Sequence, residues 1–164
     1  MGTLKDSLLV EYDHEMAATR RLLERVPEDK LHWAPHERSR SLGDLATHLS
    51  AIPTWGYAIL NALSFDLEGA WPEADAKASL SDILAEFDRS AAKTRASMHK
   101  TDPEYLARWA LTRGDQEVFT MPRISAFRTF VLYHLVHHRG QLSVYLRLND
   151  VAVPAVYGPT ADEG

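Results

Sequence analysis

The chain has no cysteine. That single absence removes disulfide frameworks, thiolate zinc clusters, iron–sulfur sites and a cysteine nucleophile together. A transition metal, if bound, must be held by histidine and carboxylate. Positive charge is also in short supply. Lys and Arg number 18 against 23 Asp and Glu, a net charge of −5, the opposite of the basic face that a nucleic-acid binder presents. No apolar run approaches the ~20 residues that span a bilayer. The opening Met1-Gly2-Thr3-Leu4-Lys5-Asp6 lacks the basic-then-apolar layout of a signal peptide. The expectation is a soluble, cytoplasmic protein with neither nucleic acid nor membrane as a partner.

What is present fits one domain over residues 1–164, with 45% hydrophobic residues for a core. Four long helical patterns stand out. The first runs from Thr3 to Val26 and is stopped by Pro27, because a residue before proline is pushed out of the helical region. A turn-rich link, Pro27 to Arg40, follows. Ser41 opens the second helix in capping-box style with Asp44 three residues on, and an apolar row runs from Leu42 to Leu63. Pro53 lies inside that row and should bend it. After a loop over Gly69–Ala78, Ser79 opens a third helix reaching Met98. Leu106–Leu111 and Glu117–Thr120 flank Arg113-Gly114-Asp115 and read as a small hairpin. Pro122 then starts a fourth helix that extends to Asn149, with Phe127, Val131, His134, His138, Leu142 and Tyr145 on one face. The tail, residues 150–164, is not helical, yet Val153, Val156 and Tyr157 are too apolar for a loose end. The fold class expected is all-α, a four-helix bundle with a hairpin-like insert before the last helix.

Several chemistries fail on residues. There is no G-x-G-x-x-G, P-loop or G-x-S-x-G elbow. His14-Glu15 starts like H-E-x-x-H, but Ala18 stands where the second histidine belongs. Glu11-x-x-His14 has no second copy to complete a di-iron carboxylate site. What remains is His134 and His138, four apart and so on one helical face, the spacing that lets two imidazoles grip one ion at about 2.0–2.1 Å. A third ligand must come from another helix. His48, flanked by Leu45, Leu49 and Ile52, is the natural candidate, and His14 is its rival. The competing reading is that these histidines are ordinary core residues. Asp44 either orients His48 or only caps its helix, the capping role being preferred. Gln141 is a candidate pocket residue beside the ligands, and Trp55 and Tyr133 are candidate cavity walls. His137 points off this face, and His32, His36 and His99 lie in links or at a helix end.

The ordered set of motifs resembles the DinB/YfiT-like metalloprotein superfamily. It comprises His134-x3-His138-Arg-Gly-Gln, Leu45-Ala-Thr-His48-Leu-Ser-Ala-Ile-Pro53-Thr-Trp55, Val26-Pro-Glu-Asp-Lys-Leu-His-Trp33-Ala-Pro35-His, and Val153-Pro-Ala-Val-Tyr157-Gly-Pro-Thr-Ala-Asp162. The resemblance covers essentially the whole chain. It implies an up-down-down-up four-helix bundle, a homodimer, and one divalent ion on His48, His134 and His138. Zinc is the first expectation for that ion, with nickel or iron as alternatives. It further implies a thiol-dependent transferase or isomerase using a low-molecular-weight thiol, such as bacillithiol or mycothiol, and an electrophilic substrate. Three protein ligands with an open position also suit a metal-dependent hydrolase. A metal-stabilised stress or interaction protein without turnover is the non-enzymatic alternative.

Overall fold

Helix α1 spans Leu4–Leu23 and begins at Thr3, whose hydroxyl accepts from the Asp6 amide while the Asp6 carboxylate accepts from the Thr3 amide. The same reciprocal device opens α2 (Leu42–Asn61) at Ser41 and Asp44. It recurs at the short α4 (Asp102–Leu106) with Thr101 and Glu104, and Ser79 caps α3 (Leu80–Ala96) through the Asp82 amide. Each cap satisfies amides that the helix itself leaves without partners, so the starts are written locally. The computed structural model describes residues 2–69 and 79–164. The loop expected over Gly69–Ala78 lies, from residue 70 onward, outside the described residues.

Helices α1 and α2 each pack on α3 and on α6 (His134–Leu148), so α1 and α2 occupy opposite corners of the bundle. The Pro27–Arg40 link makes that diagonal step. It contains one 3₁₀ turn, Glu28–Lys30, and hands over to α2 when the Leu42 and Gly43 amides donate to the carbonyls of Trp33 and Leu31, at 2.7 and 2.8 Å. A side chain at Gly43 would meet the Leu31 carbonyl oxygen at 2.9 Å, so the close approach requires glycine.

Helix α2 continues through Pro53. The α2–α3 seam is held by α3 hydroxyls: Ser90 Oγ donates to the Ser50 carbonyl at 2.7 Å, and Thr94 Oγ1 to the Pro53 carbonyl at 2.5 Å. Gly56 sits at the tightest point, where an added Cβ would lie 2.6 Å from Thr94 Cγ2 and 2.8 Å from Phe127 Cε2. Leu63, placed in the apolar row by its spacing, lies beyond the helix and is 71% exposed.

The insert is more than a hairpin. Strands β2 (Arg108–Arg113) and β3 (Gln116–Pro122) pair antiparallel as expected, turning at Gly114 with φ +54°, and β1 (Ser64–Asp66) joins β2 in parallel. The domain is mostly helical, as expected of the bundle, with a small three-stranded sheet beside it. Leu106, read as strand, ends α4 and is 58% exposed. Buried Arg123 joins insert to bundle: its guanidinium donates to the carbonyls of Ile59, Glu104 and Ala62 at 3.1, 2.9 and 3.3 Å.

The last helix is not uniform. It starts as α5 (Arg123–Phe127), widens into a π-helical stretch (Arg128–Tyr133), and tightens into α6. Arg128, at the start of the widened turn, pairs with Glu11 of α1 at 2.8 Å. The tail closes over the α1–α6 edge: Val153 is buried, Arg21 donates to the Ala155 carbonyl at 2.7 Å, and Asp162 accepts from the Val153 amide at 2.8 Å while pairing with Arg147.

Candidate metal centre

Three imidazoles meet between α2 and α6. His48 Nε2 lies 3.1 Å from His134 Nε2, and His138 Nε2 lies 2.8 Å from the same atom. One ring nitrogen from each residue falls within 4.8 Å of the others, so the three could hold a metal ion. The spacing of His134 and His138 is local, one turn of α6. His48 is brought in by the packing of α2 on α6.

The donor chemistry fits a metal. Four ligands around an ion at 2.0–2.1 Å would stand about 3.3 Å apart, a few tenths of an ångström beyond the separations seen here. A neutral imidazole has one N–H, so His134 Nε2 can make one well-aligned hydrogen bond to these two neighbours, and without an ion the other contact is left unmatched. His138 Nδ1 lies 2.7 Å from Gln141 Oε1 and donates to it, which leaves the Nε2 lone pair aimed at the cluster. The Gln141 amide nitrogen in turn reaches His137 Nε2 at 3.2 Å, which sets the amide's orientation.

The electrostatics keep these rings neutral. Burial is the main reason that His48 is held far below the usual histidine value, at about 3, and His134 at about 4. The His138 ring and the Arg40 guanidinium add to the effect on His48, and His138, His137 and Arg40 to that on His134. His138 is lowered too, again chiefly by burial, with Gln141 opposing. Neutral imidazole is the form that binds metal.

Trp55 walls the cluster edge-on, its ring centroid 4.9 Å from that of His134 and 5.7 Å from that of His48. Behind it lies an apolar pocket of only ≈ 20 Å³ lined by Ile59, Trp109 and Phe130 among others, room for little beyond one water-sized guest. A separate cleft of ≈ 270 Å³ is lined by Arg38, Ser39, Arg40, Leu45, His138, Gln141 and Tyr145. The cleft therefore reaches the cluster at His138.

The remaining candidates fall elsewhere. Asp44 is engaged in the Ser41 cap, its Oδ2 accepting from the Ser41 hydroxyl at 2.7 Å. Tyr133 is 62% exposed and borders a surface groove with Val10, His14 and Tyr157 instead of walling the cluster. His14 stacks on Tyr157 at 6.0 Å and stays exposed, so the rival third ligand is not in the group. Arg139, next to His138, is buried against Glu15 at 2.6 Å and serves the tail, donating to Tyr157 Oη. Spacing did not single out Arg38 and Arg40. Their signal is an Arg-Ser-Arg run directly before the helix that carries His48.

Fold and site together define a helical-bundle protein whose three-histidine group, on its second and last long helices, could hold a metal. The chain matches the DinB family over residues 1–164 and belongs to it. It is 26% identical over 160 residues to the "uncharacterized protein YrdA" of Bacillus subtilis (strain 168), covering 96% of this chain and 90% of that one. Its fold is similar to a DinB-like protein from Bacillus cereus ATCC 10987, with TM-score 0.72, 21% identity, and coverage of 94% and 98% of the two chains. A second DinB-like protein, from Bacillus subtilis, aligns with TM-score 0.70 at 16% identity over 92% of this chain and 96% of its own. Among the described residues no helix is long and apolar enough to cross a membrane.

Proposed function

We propose that this protein is a divalent-metal-dependent enzyme, its ion held by His48, His134 and His138, that transfers a low-molecular-weight thiol to an electrophilic small molecule. The observation that supports it most is the convergence of three neutral imidazoles beside an open cleft. A three-histidine set leaves positions for exogenous ligands, as catalytic sites do and closed four-ligand structural sites do not. A bound divalent ion would keep a thiol ionised near neutral pH. The chain's own residues supply the rest. Gln141 fixes the tautomer of His138, burial keeps the three rings unprotonated, and Trp55 packs edge-on against His48 and His134. The sulfur must come from a co-substrate, because the chain has none to offer as thiol.

Zinc is the proposed ion, with nickel or iron as alternatives for an all-imidazole set. A homodimer in the cytoplasm is the proposed working form, supported by the exposed Val10 and Tyr133 on the groove beside α1. Metal analysis of untagged protein beside the His134→Ala/His138→Ala double variant tests the first step. Equal metal in both sinks the assignment. A panel of thiols and electrophiles, run with metal-loaded and metal-stripped protein, tests the reaction; hydrolysis of the electrophile without thiol consumption would favour the hydrolase.

One observation favours a second reading. The ligands are 86 residues apart on helices α2 and α6, so an ion would cross-link the bundle. If that is its whole role, chelation collapses the melting temperature while no thiol or electrophile alters the metal's spectrum.

A further inference from the structure

The cleft beside the histidines has a charge that the rest of the molecule does not prepare one to expect. On a chain of net charge −5, it is lined by two arginines and no carboxylate. Most arginines elsewhere hold an acid, as Arg20 holds Asp88, Arg95 holds Asp13 and Arg128 holds Glu11. Arg38 and Arg40 hold none among the described residues. The nearest acid along α2, Asp44, is committed to the Ser41 cap.

The segment carrying them is nevertheless fixed. The Arg38 amide donates to His36 Nδ1 at 3.1 Å and the Ser39 amide to the His36 carbonyl at 2.9 Å. The Arg40 carbonyl accepts from Tyr145 Oη at 3.3 Å, and the Tyr145 ring meets Trp33 edge-on at 5.5 Å. Arg40 also faces the histidines electrostatically, since its charge contributes to lowering all three of them. An uncompensated guanidinium on an anchored backbone, opening on a cleft of ≈ 270 Å³ that ends at His138 and Gln141, is the arrangement that captures a small anion.

We propose that Arg38 and Arg40 form a carboxylate-binding subsite, so that the co-substrate is a small thiol carrying a carboxylate, anchored by the arginines with its sulfur directed to the histidines. This rests on the metal-dependent reading above, and deepens it by naming the co-substrate's chemistry. An arginine fork pairs with carboxylate and phosphate alike, so inorganic phosphate is a separate arm of the test.

The test is a titration of isotope-labelled protein, metal-free and zinc-loaded, with 3-mercaptopropionate, its neutral analogue 3-mercaptopropionamide, and inorganic phosphate. The readouts are the arginine Nε–H resonances and the dissociation constants. On the zinc-loaded protein, 3-mercaptopropionate should bind about tenfold tighter than the amide, the ratio of one good charge-assisted contact. It should shift the Arg38 and Arg40 resonances. The Arg38→Gln/Arg40→Gln variant should bind both thiols alike while still taking up zinc. Equal affinity for acid and amide on the unaltered protein overturns the subsite, as does a preference that survives in the double variant. Phosphate binding as tightly as 3-mercaptopropionate to metal-free protein overturns the carboxylate assignment. If zinc fails to bind yet 3-mercaptopropionate still shifts both arginines, the subsite stands and the metal reading falls.

Discussion

The depressed basicity of the three histidines makes a quantitative statement about metal binding in acid. Metal competes with protons for imidazole lone pairs, so affinity falls by a factor of (1 + 10^(pKa − pH)) for each ligand. Three unperturbed histidines, each near 6.5, would together lose about 1000-fold between pH 7.5 and pH 5.5. Here His48 is held at about 3 and His134 at about 4, so neither takes up an appreciable proton across that range. His138 is lowered as well, and even one histidine at the ordinary value would limit the loss to about tenfold. The expected outcome is that zinc affinity, measured by competition with a chromogenic chelator corrected for its own protonation, drops by no more than about tenfold over those two pH units. A loss near the thousandfold figure would mean that the cluster is solvated in the metal-free protein and would refute the half-buried, neutral geometry. The folding equilibrium supplies an internal check. The metal-free protein should lose stability as pH falls below 6.5, because unfolded histidines take protons that the folded ones refuse.

Three further outcomes test the framework around the site. Gln141→Leu removes the acceptor that fixes the His138 tautomer and should weaken zinc binding by about 10–100-fold, with the metal-free melting temperature unchanged. Gly56→Ala adds a methyl where Thr94 and Phe127 already stand within 2.8 Å, so overpacking of about 1–3 kcal/mol outweighs the gain of about 1 kcal/mol in helix propensity. Urea denaturation would detect that net loss, and a stabilised variant would contradict the α2–α3 spacing. Deleting residues 150–164 exposes the surface beneath Val153 and strips Tyr157 from buried Arg139, and should cost about 3 kcal/mol. An unchanged thermal melt would show that the tail is not part of the folded unit.

Much of the bundle was legible because its signals are local. Thr3, Ser41 and Ser79 announce helix starts through hydrogen bonds to residues only three positions away, and the caps form as written. The Arg113-Gly114-Asp115 turn was legible for the same reason, glycine there taking a positive φ. Strand β1 was not. Three residues, Ser64–Asp66, carry no periodicity of their own and become a strand only by pairing with Ala110–Thr112, more than 40 positions on. The π-helical stretch was equally hidden, because Arg128–Tyr133 reads as ordinary helix; its widening shows only in the folded backbone, beside the Arg128–Glu11 pair.

The site divides along the same line. By itself the sequence determined that any transition metal must sit on imidazole or carboxylate, because there is no thiol, and that His134 and His138 can share an ion, because four residues make about one helical turn. It could offer His48 only as a candidate beside His14, since which helix faces which is a matter of long-range packing. The tertiary structure decided that choice by setting α2 against α6 and leaving His14 on the surface against Tyr157. It also separated Tyr133 from the cluster, whereas Gln141, three residues from His138 on the same helix, was already legible as its neighbour. Arg38 and Arg40 acquired their place only when the link before α2 was folded against α6, since a cleft exists between elements and is written in neither of them.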